Sequence, residues 1–144
     1  MGRQVPASAF AAIVTAVVLI AGGPARAGML EFAWSTAGTD ERSVEVAPGK
    51  FAELCGPLAA GQSVAWRFES DRPLDFNIHF HVGKKVRYPA RSPRVRASSG
   101  SLAARSAQDY CWMWTNPSAE VARLQFRLQR GAPSGHEKGA LRVK

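Results

Sequence analysis

Two histidines two residues apart carry the clearest chemical potential in this chain. They lie in Leu74-Asp75-Phe76-Asn77-Ile78-His79-Phe80-His81-Val82, where apolar and polar residues alternate without a break. Alternation of this length predicts a β-strand with one buried face. Asn77, His79 and His81 then share the other face, with the two histidine Cβ atoms about 6–7 Å apart. A His-x-His pair on one rigid strand can give two ligands to copper or zinc. A third is needed, and Asp75, Asn77, His136 or a carboxylate brought in by folding are the candidates. The plainer alternative is a pair of solvent-facing imidazoles with no cofactor.

A second set of residues lies in Asp109-Tyr110-Cys111-Trp112-Met113-Trp114-Thr115. If Cys111 and Met113 face the core, Tyr110, Trp112 and Trp114 face outward beside Asn77, His79 and His81. Indoles and imidazoles together would form a stacking and hydrogen-bonding platform for a sugar, lipid or peptide. The competing outcome is burial of Trp112 and Trp114, which is the commoner fate of tryptophan. Cys111 and Met113 do not have the His-and-Met spacing of a blue-copper site. The third set is basic. Lys84, Lys85, Arg87, Arg91, Arg94, Arg96 and Arg105 have no acidic residue between them. With Pro89 and Pro93, the stretch 89–99 reads as a basic loop. Arg91, Arg94 and Arg96 are its candidates for docking an anionic lipid or polysaccharide.

Motifs for catalysis are missing. There is no G-x-S-x-G, no H-E-x-x-H, no phosphate-cradling glycine loop and no pair of carboxylates that can be nominated as acid and base. The expectation is a non-enzymatic domain without a resident cofactor.

The N-terminus reads as a secretory signal. Arg3 precedes an apolar run from Ala9 to Ile20, Gly22-Gly23-Pro24 break it, and Ala25-Arg26-Ala27 offers the small-x-small cleavage pattern. The run is short for a span of ~20 residues, so cleavage before Gly28 is expected rather than a retained anchor. The organisation is then a signal at 1–27, a domain at 28–130 and a flexible tail at 131–144, in a periplasmic or secreted protein. Arg3 and Arg26 leave with the signal, which has no acidic residue, and the net charge falls from +8 to +6. A basic exported domain suits an anionic lipid, polysaccharide or protein partner, and export argues against nucleic acid. Both cysteines, Cys55 and Cys111, lie in the exported part. One disulfide is expected in an oxidising compartment, two buried free thiols being the alternative.

These side chains must be positioned by strands. Short alternating runs recur at 42–46, 63–69, 74–82 and 121–129. Turns are signalled at Pro48-Gly49, Gly61-Gln62, Gly83-Lys84 and Asn116-Pro117-Ser118. Ser70-Asp71-Arg72-Pro73 is short enough to join 63–69 and 74–82 as antiparallel neighbours. The Asp109–Thr115 run is apolar on both faces, as in a strand in the middle of a sheet. No helix is expected after the signal. Seven or eight short strands give an all-β, antiparallel β-sandwich of jelly-roll type.

The order of Cys55, Leu58, Gly61, Phe68, Leu74-Asp75-Phe76-Asn77-Ile78, Tyr88-Pro89, Gly100, Asp109-Tyr110-Cys111 and Asn116 resembles the GOLD (Golgi dynamics) domain family, over roughly residues 44–129. It is also similar to small exported bacterial proteins with such strands. The resemblance implies a GOLD-like β-sandwich of binding type, with the early and late cysteines joined across it. The coiled coil, transmembrane helix and cytosolic tail of the eukaryotic members have no counterpart here, so vesicle cargo sorting does not transfer. The function expected is ligand or protein binding on the face with Asn77, His79, His81, Trp112 and Trp114. The alternative is periplasmic copper or zinc handling through His79 and His81.

Overall fold

A computed structural model describes Gly2, the strand Ala25–Arg26 and residues 28–131. The expected cleavage site, the tail and His136 fall outside those residues or at their margin. Eight strands follow in order: β1 (Ala25–Arg26), β2 (Met29–Glu31), β3 (Thr39–Val46), β4 (Phe51–Leu58), β5 (Ser63–Val82), β6 (Lys85–Ala103), β7 (Gln108–Thr115) and β8 (Ala122–Arg130). They form one sheet in the order β1-β3-β8-β5-β7-β4-β2, with β6 along β5. Pairing is antiparallel except at the two short outer strands, where β1–β3 and β2–β4 are parallel. Among the described residues no helix is long and apolar enough to cross a membrane.

The long strand β5 turns this sheet into a sandwich. Val64–Ser70 pairs with β8, and Asp75–Phe80 pairs with β7. Between them the register slips at Glu69/Leu74 and again at Leu74/Phe76. Extra residues of this kind bend a strand and raise its twist. The sheet folds over on itself here, so that β3, β8 and the first half of β5 pack against β4, β7 and the second half. Residues 63–69 and 74–82 are therefore not antiparallel neighbours; they are two arms of one bent strand. The linker between them offers no glycine for a reversal, and Arg72, preceding Pro73, is held to extended backbone.

The expected basic loop at 89–99 is likewise strand, the middle of β6. Prolines and charges suit an edge strand as well as a loop, and β6 lies at an edge. Only one side of β6 is paired, so a missing proline N–H need not cost a ladder bond. β7 does lie inside the sheet, between β5 and β4. Gly83, at φ 57°, makes the tight β5–β6 turn.

The core lies between the layers. Trp66, Phe68, Phe76, Trp114 and Phe126 form a continuous aromatic cluster, with neighbouring ring centroids 4.8–6.3 Å apart. Trp114 and Phe126 lie on strands that do not pair, and Phe68 belongs to the arm of β5 that pairs with β8 rather than with β7, so both rings meet Trp114 layer against layer. At the outer end, Phe32 lies directly on Gly56, where a Cβ would stand 2.1 Å from the ring. Buried Asn116 closes the β7–β8 turn, its amide donating to the carbonyls of Val46 (2.9 Å) and Glu120 (2.7 Å).

Candidate functional site

Strand alternation decides which residues reach the outer face of the β4–β7–β5 layer. The register aligns Cys55, Cys111 and His79 across the three strands, and Glu53, Met113 and Asn77 in the adjacent row. Arg91 of β6 continues the second row. Trp112 and Trp114 are one step out of phase. They pair with Ile78 and Phe76 and point inward, fully buried. The expected platform of Trp112 and Trp114 beside His79 and His81 is thus not formed. Alternation places the indoles and the imidazoles on opposite faces of one layer, and the inner face is the one able to bury two indoles.

Cys55 and Cys111 form a disulfide. It joins directly opposed residues of neighbouring strands within one layer. It does not bridge the two layers of the sandwich.

His79 is not a solvent-facing imidazole; it is 7% exposed. Glu53 reaches diagonally across β7 to place Oε1 3.1 Å from its Nε2. Asn77 Oδ1 lies 2.8 Å from its Nδ1. Burial pulls the His79 pKa below its ordinary value of 6.5, against the carboxylate of Glu53, which raises it; nearby His81 lowers it further. Both ring nitrogens are engaged, Nε2 by the Glu53 carboxylate and Nδ1 by the Asn77 side-chain oxygen, and which of them donates is set by the tautomer. His79 is held on both sides, with neither nitrogen left to move a proton to a substrate. The exposed His81 stands edge-on to it, ring centroids 5.5 Å apart. Tyr88 lies 5.9 Å from His79 on the other side, with the Arg91 guanidinium 3.5 Å above its ring.

The lowered pKa makes a pH prediction. The unfolded chain binds a proton at His79 more readily than the folded one. Stability is therefore expected to fall as pH drops from about 6.5 through the lower folded value, and to be unaffected by this group above 6.5. Urea titrations across that window should show a slope that His79→Gln reduces. An unchanged slope would mean that another group causes it.

For a metal, the potential donor atoms gathered within 4.8 Å of one another are those of Glu53, His79 and Cys111. The Cys111 sulphur is committed to the disulfide and is not a thiolate. A cation here would have Glu53 and His79 as its ready donors, with His81 at the margin.

Arg91, Arg94 and Arg96, expected to dock an anion together, each engage a different partner. Arg91 stacks on Tyr88. Arg94 has its backbone N–H on Asp75 Oδ1 (2.9 Å) and its guanidinium 3.7 Å from the same carboxylate. Arg96 donates to the Asp71 carbonyl at 2.6 Å. For Arg94, the acid lacking along β6 is supplied by Asp75 of β5 across the ladder, which linear sequence does not display.

Beside His79 and His81, a groove of about 790 Å³ runs between β2 and the outer face. Its floor is the disulfide. Its walls include Met29, Glu31, Glu53 and Asp109. Three carboxylates and a neutral histidine make this groove negative on a protein whose net charge is positive. Glu53 was not singled out from sequence. Its position two residues before Cys55 places it on the same strand face, and pairing of Cys55 with Cys111 would then bring it next to His79.

Comparison with known proteins bears on the fold. No family model matches the chain, and no curated protein matches it. A solved structure does. It is PliG of Aeromonas hydrophila, a periplasmic lysozyme inhibitor of g-type lysozyme, with a TM-score of 0.57 at 12% identity, covering 74% of this chain and 98% of that one. The two share a β-fold.

Proposed function

We propose that this chain is an exported, non-enzymatic domain that binds a protein partner, in the manner of a lysozyme inhibitor. The partner would seat a lysine or arginine side chain in the groove beside His79. The observation that carries this reading is the groove itself: about 790 Å³, closed below by a covalent cross-link, and walled by Glu31, Glu53 and Asp109. The exposed Tyr88–Arg91 stack and the exposed Met29 stand near its margins, and Tyr and Arg are residue types on which protein interfaces concentrate their energy. The fold shared with PliG supports the choice of a lysozyme as partner class, and the signal-like N-terminus supports the compartment.

The test is calorimetric titration of the purified domain from Gly28 onward with g-, c- and i-type lysozymes, paired with assays of their muramidase activity. One class is expected to bind in a 1:1 complex and to be inhibited. Glu53→Gln with Asp109→Asn should weaken binding at least roughly tenfold, through loss of charge-assisted hydrogen bonds. Absence of binding to all three classes would overturn the lysozyme reading. Binding that both substitutions leave unchanged would move the interface off the groove.

A further inference from the structure

A second cavity of about 790 Å³ shares no lining residue with the groove beside His79. It lies at the mouth of the sandwich, opposite the bend in β5. The β5–β6 turn belongs to one layer, and Ser101–Ala103 of the same β6 strand, paired to Val64 and its neighbours, belongs to the other. The layers part between them. Buried Leu102 and Tyr110 form the inner wall, and Phe80 packs on Tyr110 with ring centroids 4.9 Å apart. Val82 and Val86 line the opening and remain 48% and 37% exposed. Apolar side chains left in water around a concave opening are a mark of a binding site.

The rim is cationic. Arg87 and Arg105 line the cavity, and no carboxylate does. Neither guanidinium has an ion pair or hydrogen bond with a described residue, whereas Arg42, Arg72, Arg94, Arg123 and Arg127 are all paired with carboxylates. Lys84 sits in the adjoining turn and Lys85 opens β6. A cavity that combines apolar side chains with two guanidiniums and no carboxylate matches one ligand chemistry, an alkyl chain ending in an anion.

We propose that this mouth binds a single-chain anionic amphiphile, a long-chain carboxylate. The chain lies against Phe80, Val82, Val86 and Leu102, and the headgroup is held by Arg87 and Arg105. The site shares no lining residue with the protein-binding groove, and Tyr88 stands between the two. The test follows the fluorescence of cis-parinaric acid on the domain from Gly28 onward, with decanoate and decanol as competitors. Saturable 1:1 binding is expected, with decanoate displacing the probe better than decanol. Arg87→Gln with Arg105→Gln, both on exposed side chains, should weaken binding roughly tenfold, and Leu102→Trp should abolish it by filling the cavity. Circular dichroism checks that each variant is folded. Three results would overturn the proposal: no saturable binding, equal competition by decanol, or a double arginine variant with unchanged affinity. Sedimentation with phosphatidylglycerol vesicles in the absence of monomer binding would count against it equally, since the surface would then be reading a membrane rather than a single chain.

Discussion

Trp114→Ala is expected to destabilise the domain by about 3–5 kcal/mol, the cost of emptying a large aromatic site in a packed core. Trp114 joins rings contributed by both layers. Its ring stacks on Phe126 of β8 at 5.1 Å and meets Phe68 and Phe76 of β5, both at 5.7 Å. It is 1% exposed, and its neighbours come from strands whose backbones are fixed by pairing on both sides, so the cavity cannot readily collapse. The loss approaches the whole stability of an ordinary domain, near 5–15 kcal/mol. Trp114→Phe separates packing from polarity. The buried Trp114 indole N–H has no hydrogen-bond acceptor among the described residues. Phenylalanine removes that unmet donor while keeping a ring, and should cost much less than alanine. Urea denaturation of the three proteins measures both differences. Alanine and phenylalanine variants of equal stability would show that Trp114 is not a keystone between the layers.

Removing the disulfide is expected to cost about 4 kcal/mol by loop closure, given the 56-residue separation of Cys55 and Cys111. The two residues are already opposed in the β4–β7 ladder, whose backbone pairing runs from Phe51–Thr115 to Leu58–Gln108. The bond therefore adds little that the folded strands lack, and its effect falls on the unfolded chain. A Cys55→Ala, Cys111→Ala variant should have a lower urea midpoint and a steeper dependence on urea, because the uncrosslinked chain exposes more surface when it unfolds. The floor of the groove beside His79 would also lose its cross-link. If the midpoint falls while the slope stays constant, the stabilisation resides in the native state instead. The comparison then turns on the two buried or half-buried sulphurs themselves.

Much of this architecture was legible because strand chemistry is local. The uninterrupted alternation of Leu74–Val82 announced a strand with an apolar inner face, and Leu74, Phe76 and Ile78 are indeed core. The two-faced apolar run Asp109–Thr115 announced an interior strand. The turns at Gly49, Gly61 and Gly83 were visible because each needs the left-handed backbone that glycine adopts freely. The all-β class and the Cys55–Cys111 bond followed from composition and compartment.

The candidate site was legible only in fragments, since period two gives a residue's face but not the phase of one strand against the next. His79 was correctly placed opposite Phe76 and Ile78, yet whether Trp112 or Cys111 would stand beside it depended on a one-residue register, and a one-residue slip exchanges the faces. Cross-strand pairing set Cys111 against His79 and sent Trp112 and Trp114 into the core. The bend of β5 was equally hidden. It arises from register slips against β6, and its consequence, two layers meeting over an aromatic cluster and parting at the mouth lined by Arg87 and Arg105, exists only once both arms of that strand have found different partners. By itself, then, the amino-acid order determined the strands, their faces and their turns, because those depend on neighbours within a few residues. Tertiary structure decided the company each face keeps: Glu53 with His79, Asp75 with Arg94, and Arg87 and Arg105 with the open mouth beside Leu102 and Phe80. Such partners are brought together by hydrogen-bond register between strands remote in the chain, and nothing in the local pattern encodes it.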